Sequence, residues 1–316
     1  MSFPIFPDEA SKVAQQTDYL YWGFICLSLL VCLIVFGPIT YFVFKYRQGK
    51  ETDRRPVRLP ELKIELTWTV LPMLLMMCFY VWGARQYFNI EQPPPGAMDI
   101  NVVGKQWMWK VQHPEGNREI NQLHVPLGRS IKLTMASQDV IHSFFLPAFR
   151  IKQDVVPGRY TTEWFKANRL GTYHLFCSEF CGTSHSMMTG QIVVMEPAAY
   201  EAWLIRGQPG STLAQAGEKL FREVGCSGCH IGNSVIRAPP LEGLFGKPVP
   251  LNNGQVVIAD EAYLRDSILF PAKEIVGGYT NAMPSFQGRL NEEELLLLIA
   301  YMKSLGAQHS GVNSGP

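Results

Sequence analysis

The sequence predicts a multidomain chain: a two-helix membrane hairpin, an all-β sandwich or barrel, and then a mainly helical domain. Two uncharged stretches, a run of short alternating segments and a late pair of helical runs carry that prediction. No charged residue occurs between Asp18 and Lys45, or between Glu65 and Arg85. The first gap spans a bilayer comfortably, and the second just reaches the ~20 residues a membrane helix needs. Pro72 is tolerable in such a helix, because neighbouring groups can satisfy the carbonyl it frees. Trp22, Tyr41, Trp68 and Trp82 lie near the span ends, where an aromatic belt belongs.

The first span reads as a retained helix. Its apolar run is too long for a signal core, acidic residues precede it, and no small-residue cleavage site follows. The loop between the spans carries Lys45, Arg47, Lys50, Arg54, Arg55, Arg58 and Lys63. By the positive-inside rule that loop is cytoplasmic, so both termini and everything after about residue 90 are expected outside. A net charge of +1 over 316 residues, with no long basic cluster in the part beyond the spans, argues against nucleic acid as a partner.

Gln92-Pro-Pro-Pro-Gly-Ala97 is a stiff linker leaving the membrane. From residue 98 short alternating runs follow, among them Asp99–Val103, Ser130–Met135, Thr161–Phe165, Thr172–Phe176 and Gln191–Met195. Strands of this length broken by Gly, Pro and Asn predict a sandwich or barrel. From residue 212 the pattern is helical, with runs over Ala214–Val224 and Asn291–Leu305. Asn291 is an expected cap, and Glu292, Glu293 and Glu294 suit the helix dipole. The expected division is 1–91 for the N-terminal segment and hairpin (helices about 19–44 and 66–88), 92–200 for the β domain, 201–211 for a linker, 212–306 for the helical domain and 307–316 for a flexible tail.

The β domain ends in Cys177-Ser-Glu-Phe-Cys-Gly-Thr-Ser-His-Ser-Met-Met188, two thiols, an imidazole and a thioether in Cys-x3-Cys-x3-His-x2-Met spacing. His142 lies upstream in Val-Ile-His-Ser-Phe-Phe-Leu-Pro. Soft sulfur with imidazole is a donor set for copper, and one Cys, two His and a weak Met would make a mononuclear electron-transfer site. The second Cys offers a thiolate bridge between two copper ions. A disulfide would explain neither His185 nor Met188, and zinc would leave Met188 idle. Cys26, Cys32 and Cys78 fall inside the spans and read as packing residues.

Cys226-Ser-Gly-Cys229-His230 has the attachment spacing of a c-type haem. Two thioethers fix such a porphyrin, the His reaches the iron from one face, and a Met on the other raises the potential. Met283, in a loop beside Pro284, is the expected axial Met. Met302, at helical spacing among Leu298, Ile299 and Leu305, reads as core.

With both sites placed, the chain resembles subunit II of haem-copper cytochrome c oxidases, and more narrowly the bacterial caa-type with a fused cytochrome c domain. The resemblance runs from about residue 15 to 305 and rests on the hairpin, Gly104-Lys-Gln-Trp-Met-Trp109, Lys152-Gln-Asp-Val-Val-Pro-Gly-Arg159, the Cys177–Met188 loop and the cytochrome c signature. It implies a cupredoxin-like β domain and an all-α class I cytochrome c domain. It implies that His142, Cys177, Cys181, His185 and Met188 bind a binuclear CuA centre, completed by the backbone carbonyl of Glu179. The Glu179 side chain would reach an interfacial magnesium ion. Trp107 matches the aromatic residue through which electrons reach CuA. Glu65 matches a carboxylate near the cytoplasmic mouth of a proton channel, although an ordinary charge bounding a span explains it nearly as well. The family strand usually reads Gly-His-Gln-Trp-Tyr-Trp, so Lys105 and Met108 depart from it and put local docking contacts in doubt.

The function so implied is that of the electron-transfer subunit of a proton-translocating oxidase in a bacterial plasma membrane. Electrons would come from cytochrome c or an equivalent donor, including a bc-type complex. They would pass through haem c and CuA to haem and copper in subunit I, where O2 becomes water. No catalytic residue for the oxygen chemistry is expected in this chain, which has neither the spans nor the histidines for it. Two alternatives use the same ligands: a CuA-containing nitric oxide reductase, and a membrane-anchored copper or haem redox sensor. A quinol oxidase subunit normally lacks the copper ligands, so Cys177 and Cys181 argue against it.

Overall fold

The computed structural model describes residues 6–53, 60–206, 212–231 and 238–307. Of the expectations above, Arg54, Arg55 and Arg58, residues 207–211 of the linker and residues 308–316 of the tail lie outside the described residues.

Two long helices come first, α1 (Lys12–Lys45) and α2 (Glu61–Glu91), with mean hydropathies of 2.4 and 1.7 over their most apolar windows. Both exceed the apolar runs that predict them. The Ser11 hydroxyl caps α1 by accepting from the Ala14 amide at 3.0 Å, so the helix starts well before the uncharged stretch. The helices pair antiparallel. Gln86 Nε2 donates to Thr17 Oγ1, the Phe24 and Phe79 ring centroids are 4.7 Å apart, and Gly23 gives the Phe79 ring room. Cys26, Cys32 and Cys78 are exposed on the outer surface of this hairpin.

Residues 98–195 form a sandwich of two five-stranded sheets. The strands are β1 (Met98–Lys105), β2 (Met108–Gln112), β3 (Arg118–Ile120), β4 (Gln122–Pro126), β5 (Ser130–Ser137), β6 (His142–Leu146), β7 (Ile151–Val155), β8 (Thr161–Lys166), β9 (Gly171–Cys177) and β10 (Thr189–Met195). One sheet runs β3-β2-β1-β5-β8 and the other β4-β10-β9-β6-β7. The pairs β1–β5 and β4–β10 are parallel. The register places Ile100 beside Leu133 and Val102 beside Met135. Those side chains fill the space between the sheets with Trp109, Phe144, Phe165 and Leu175, all buried. Alternation along each strand is what produces that inner face.

The helix α3 (Pro197–Arg206) follows the sandwich and packs Tyr200 and Leu204 inward. His113 and Tyr200 share a hydrogen bond of 3.1 Å, and the Trp203 ring stacks on His124 at 4.6 Å. Glu119 sits between the two imidazoles, 2.7 Å from His113 Nε2 and 2.5 Å from His124 Nδ1.

The C-terminal domain contains α4 (Leu213–Glu223), the single turn α5 (Ser227–His230), α6 (Glu261–Leu269), α7 (Glu292–Ala307) and a small ribbon of β11 (Pro248–Pro250) and β12 (Val256–Ile258). Thr212 and Gln215 close a capping box at the start of α4. Asn291 and Glu294 exchange the same pair of bonds before α7. α4 and α7 cross in direct backbone contact. A Cβ on Gly217 would lie 2.0 Å from the Leu297 carbonyl oxygen, so only glycine fits there.

Candidate metal centre and haem cavity

One end of the sandwich gathers the sulfur and imidazole donors. Cys177 closes β9 and Met188 precedes β10, so the loop between them is clamped at both ends by the ladder of the two strands. The Cys177 amide donates to the Met188 carbonyl, and the Ser178 amide to the Ser143 carbonyl beside His142. The Sγ atoms of Cys177 and Cys181 are 3.8 Å apart. A disulfide needs about 2.05 Å, so both are free thiols. Nδ1 of His185 lies 3.3 Å from Cys181 Sγ, and Sδ of Met188 lies 3.8 Å from it. The Glu179 carbonyl oxygen stands 3.3 Å from Cys177 Sγ. A ring nitrogen of His142 and both thiols come within 4.8 Å of one another.

His142 opens β6 and is fully buried. Its Nε2 is engaged by Asp139 at 2.8 Å, whereas its buried Nδ1 has no hydrogen-bond partner. A buried ring nitrogen without a partner costs free energy unless something fills it, and here it belongs to a group with two thiols. Gly104 provides the room: a Cβ there would come 3.0 Å from His142 Cδ2. Burial pushes both thiols up. For Cys177 the neighbouring His142 imidazole and the Ser143 and Glu179 backbone outweigh burial and bring it down to about 6. Cys181 is pushed up to about 12 by burial and by the Cys177 thiolate beside it. Two soft sulfurs, two imidazoles and a thioether, mostly sequestered from water, fit copper better than any hard cation.

The turn between β1 and β2 covers this loop. Gln106 Nε2 and Trp107 Nε1 both donate to the Cys181 carbonyl, at 2.8 and 3.2 Å. The Gln106 amide donates to Asp139 Oδ2 at 2.8 Å. Gln106 and Asp139 escape motif reasoning because neither is a soft ligand. The one sequence signal for Asp139 is a carboxylate three residues before a buried His.

In the C-terminal domain a cavity of about 420 Å³ is lined by Cys226, Cys229, His230, Met283 and Met302, among other residues. The Cys226 carbonyl accepts from the amides of both Cys229 and His230, so the three residues form one helical turn. Nδ1 of His230 lies 3.1 Å from the Pro239 carbonyl, which makes Nδ1 the protonated nitrogen and leaves Nε2 as the lone-pair atom. Burial lowers the pKa of this imidazole and so favours the neutral, ligating form, against a smaller opposing effect of the Pro239 carbonyl. Met283 is half-buried in the loop before α7, and Met302 is buried in α7 itself. The apolar walls, the paired thiols and the oriented imidazole suit a covalently held haem. Glu65 lies apart from both sites in sequence, exposed in the second turn of α2.

Comparison with known proteins decides the family. The family models described as "Cytochrome C oxidase subunit II, transmembrane domain" and "Cytochrome C oxidase subunit II, periplasmic domain" match residues 2–83 and 115–196, and "Cytochrome c" matches 214–306. Cytochrome c oxidase subunit 2 of Alkalihalophilus pseudofirmus is 31% identical over 313 residues, covering 92% of this chain and 88% of its own length. The chain belongs to the cytochrome c oxidase subunit II family. It is the caa-type, with a fused C-terminal cytochrome c domain, and an oxidoreductase subunit anchored by two membrane helices. Cytochrome c oxidase subunit 2 of Thermostichus vulcanus is 28% identical, covering 66% of this chain and 80% of its own. The solved periplasmic domain of subunit II of cytochrome oxidase from Bradyrhizobium japonicum is 32% identical, covering 37% of this chain and 96% of that one, with a TM-score of 0.36.

Proposed function

We propose that this subunit II carries electrons from an external cytochrome c-type donor, which a bc-type complex would equally provide, to the catalytic subunit I of a proton-translocating oxidase. His142, Cys177, Cys181, His185 and Met188, with the Glu179 carbonyl, would hold a binuclear CuA centre. Cys226 and Cys229 would hold haem c, with His230 and Met283 as axial ligands. When bound, these groups supply two one-electron carriers in series ahead of the haem and copper of subunit I, where O2 is reduced to water.

The buried Nδ1 of His142, without a partner beside two thiols 3.8 Å apart, is the observation that carries the reading. The chain's own residues do the rest. Asp139 orients the imidazole. Cys177 and Cys181, on one short loop, would supply the two thiolates of a binuclear centre. Burial of Cys181 and Met188 keeps water from the centre, which holds the reorganisation on electron transfer small. Trp107, bonded to the Cys181 carbonyl, offers an aromatic path to a ligand residue. The Glu179 side chain, exposed on the loop, would contribute to a magnesium site against subunit I. The proposed domain limits are 1–91, 92–200, 201–211, 212–306 and 307–316, with the difference that α3 packs Trp203 and Leu204 on the sandwich, so residues 201–206 go with the β domain. Both redox domains would face the outside of a bacterial plasma membrane, and Glu65 would lie near the cytoplasmic mouth of a proton channel.

The test is purification of the native complex, followed by near-infrared spectroscopy for CuA, alkaline pyridine spectroscopy for haem c, and assays of oxygen and nitric oxide consumption. Both spectra with oxygen consumption are expected. Nitric oxide consumption alone would move the subunit to a reductase, and absence of the near-infrared band would remove the copper assignment.

A further inference from the structure

Five residues on the outer face of the β3-β2-β1-β5-β8 sheet break the rule that strands of a sandwich alternate between core and water. Asp99, Asn101 and Val103 share that face on β1 with Lys110 and Gln112 of β2 and Lys132, Thr134 and Ala136 of β5. Yet Val103, Thr134, Ala136 and Gln112 are buried, and Asn101 is half-buried. Residues of the cytochrome c domain lie against this face: Glu293 on Lys110 and Gln112, Glu261 on Lys132, and Lys303 on Asp99.

Charged residues from both domains close the boundary. Lys303 of α7 donates to Asp99 of β1 at 2.6 Å and to Glu261 of α6 at 2.9 Å, while Lys132 of β5 donates to Glu261 at 3.1 Å and stands 3.7 Å from Asp99. Signs therefore alternate around a square with two corners in each domain. Glu293 accepts from Lys110 at 2.5 Å and from Gln138 at 3.4 Å. Arg265, 4% exposed, donates to the Gly158 carbonyl at 2.7 Å and lies over the Tyr160 ring, keeping Glu292 as its own domain's partner at 2.6 Å. Tyr160 packs against the hydrophobic core of the cytochrome c domain.

We propose that this outer sheet face is a built docking surface for the chain's own cytochrome c domain, latched by the alternating charges so that the domain keeps one seat. The purpose of the latch rests on the electron-transfer reading above, but its geometry does not. Each domain supplies both signs, so a displaced seat juxtaposes like charges and is disfavoured. Isolated exposed ion pairs would contribute little. These are half-buried and cooperative, and ordinary salt screens them less. Burial pushes Glu261 up, yet Lys303 and Lys132 more than reverse it and hold it at about 2. The seat also has a direction, since Gln138 is next in sequence to Asp139, which holds His142.

The experiment uses the purified whole oxidase with Lys110→Glu, Glu293→Lys and the two combined. Amide hydrogen exchange is followed in three places: the first turn of α7, α6, and the 156–162 segment. Each single reversal is expected to speed exchange roughly tenfold at all three, and the pair to restore it to within about twofold. Lys110→Glu alters only the cupredoxin-like side, so faster exchange in α6 cannot come from a damaged cytochrome c domain. Unchanged exchange in both single variants, or no recovery in the pair, would overturn the latch. Copper and haem spectra of the wild-type sample judge the electron-transfer reading separately, because the exchange data decide the docking whether or not those spectra appear.

Discussion

Asp139 Oδ1 sits 2.8 Å from Nε2 of His142, so the imidazole is gripped by one nitrogen and offers the other. The same carboxylate receives the Gln106 amide. Burial raises its pKa, but the Gln106 amide and the imidazole bring it below the ordinary carboxylate value. Asp139 thus orients His142, a candidate copper ligand, without touching the sulfurs.

Replacing Asp139 with Asn should retain the fold and weaken copper retention by about 10–100-fold, the usual effect of losing a group that orients a ligand. Dialysis of the purified complex against graded chelator, read by the near-infrared band, measures it. Covalent haem content serves as the internal control, and equal retention by variant and wild type would count against the assignment.

Met283 and Met302 line the same cavity from different elements. Met283→Leu should leave the haem covalently attached through Cys226 and Cys229 while lowering its potential, because the thioether ligand is what raises it. Met302→Leu conserves volume in a packed helix and should cost less than about 1.5 kcal/mol with the potential unchanged. Redox titration of both variants decides; the reverse pattern would transfer the axial role to Met302.

Gly217→Ala should destabilise the cytochrome c domain by at least about 1–3 kcal/mol, the cost of overpacking a close contact. The added methyl would collide with the Leu297 backbone, which cannot rotate away as a side chain would. A Soret-monitored melt of the full chain should show the loss. An unchanged midpoint would mean that α4 and α7 do not cross this closely.

Glu119 has a distinctive pH signature. Burial would raise its pKa, but His113, His124 and the His124 amide lower it from 4.5 to about 2. The folded value lies below the unfolded one, so its stabilisation is present above pH 4.5 and fades as the pH falls from 4.5 to 2. Glu119→Gln should cost about 3 kcal/mol near neutrality, because it breaks a buried charged network. It should also flatten the acid limb across that window. Thermal melts between pH 2 and 7 would show both effects, and parallel curves for variant and wild type would refute the linkage.

The candidate copper ligands are legible because four of them sit within twelve residues and soft donors are chemically distinctive. Asp139 and Gln106 were not, since their importance arises only when the β1–β2 turn folds over a loop some seventy residues away. Helix existence was legible from charge-free runs, but the ends were set by different physics. Ser11 capping begins α1 seven residues ahead of the expected start at 19. The strand β6 is not legible in the sequence because His142-Ser-Phe-Phe-Leu lacks clean alternation. In β1 both Val102 and Val103 are buried, which alternation alone does not predict. The cytochrome c signature likewise announced the two thiols, whereas the Pro239 carbonyl that sets the His230 tautomer had no sequence mark.

The double covering of β1 and β5 bears on how this protein can be taken apart. A cut in the connector after Arg206 would pass between two domains by sequence but uncover a sheet face on which Val103, Thr134, Ala136 and Gln112 are buried. The sandwich released by such a cut would present Val103 and Ala136 to water beside stranded lysines and a stranded aspartate. Polar replacements at Val103 and Ala136 would be the remedy for a soluble fragment. What reads along the chain as modular fusion has become, in three dimensions, a largely polar face held between two folds, each with its own core.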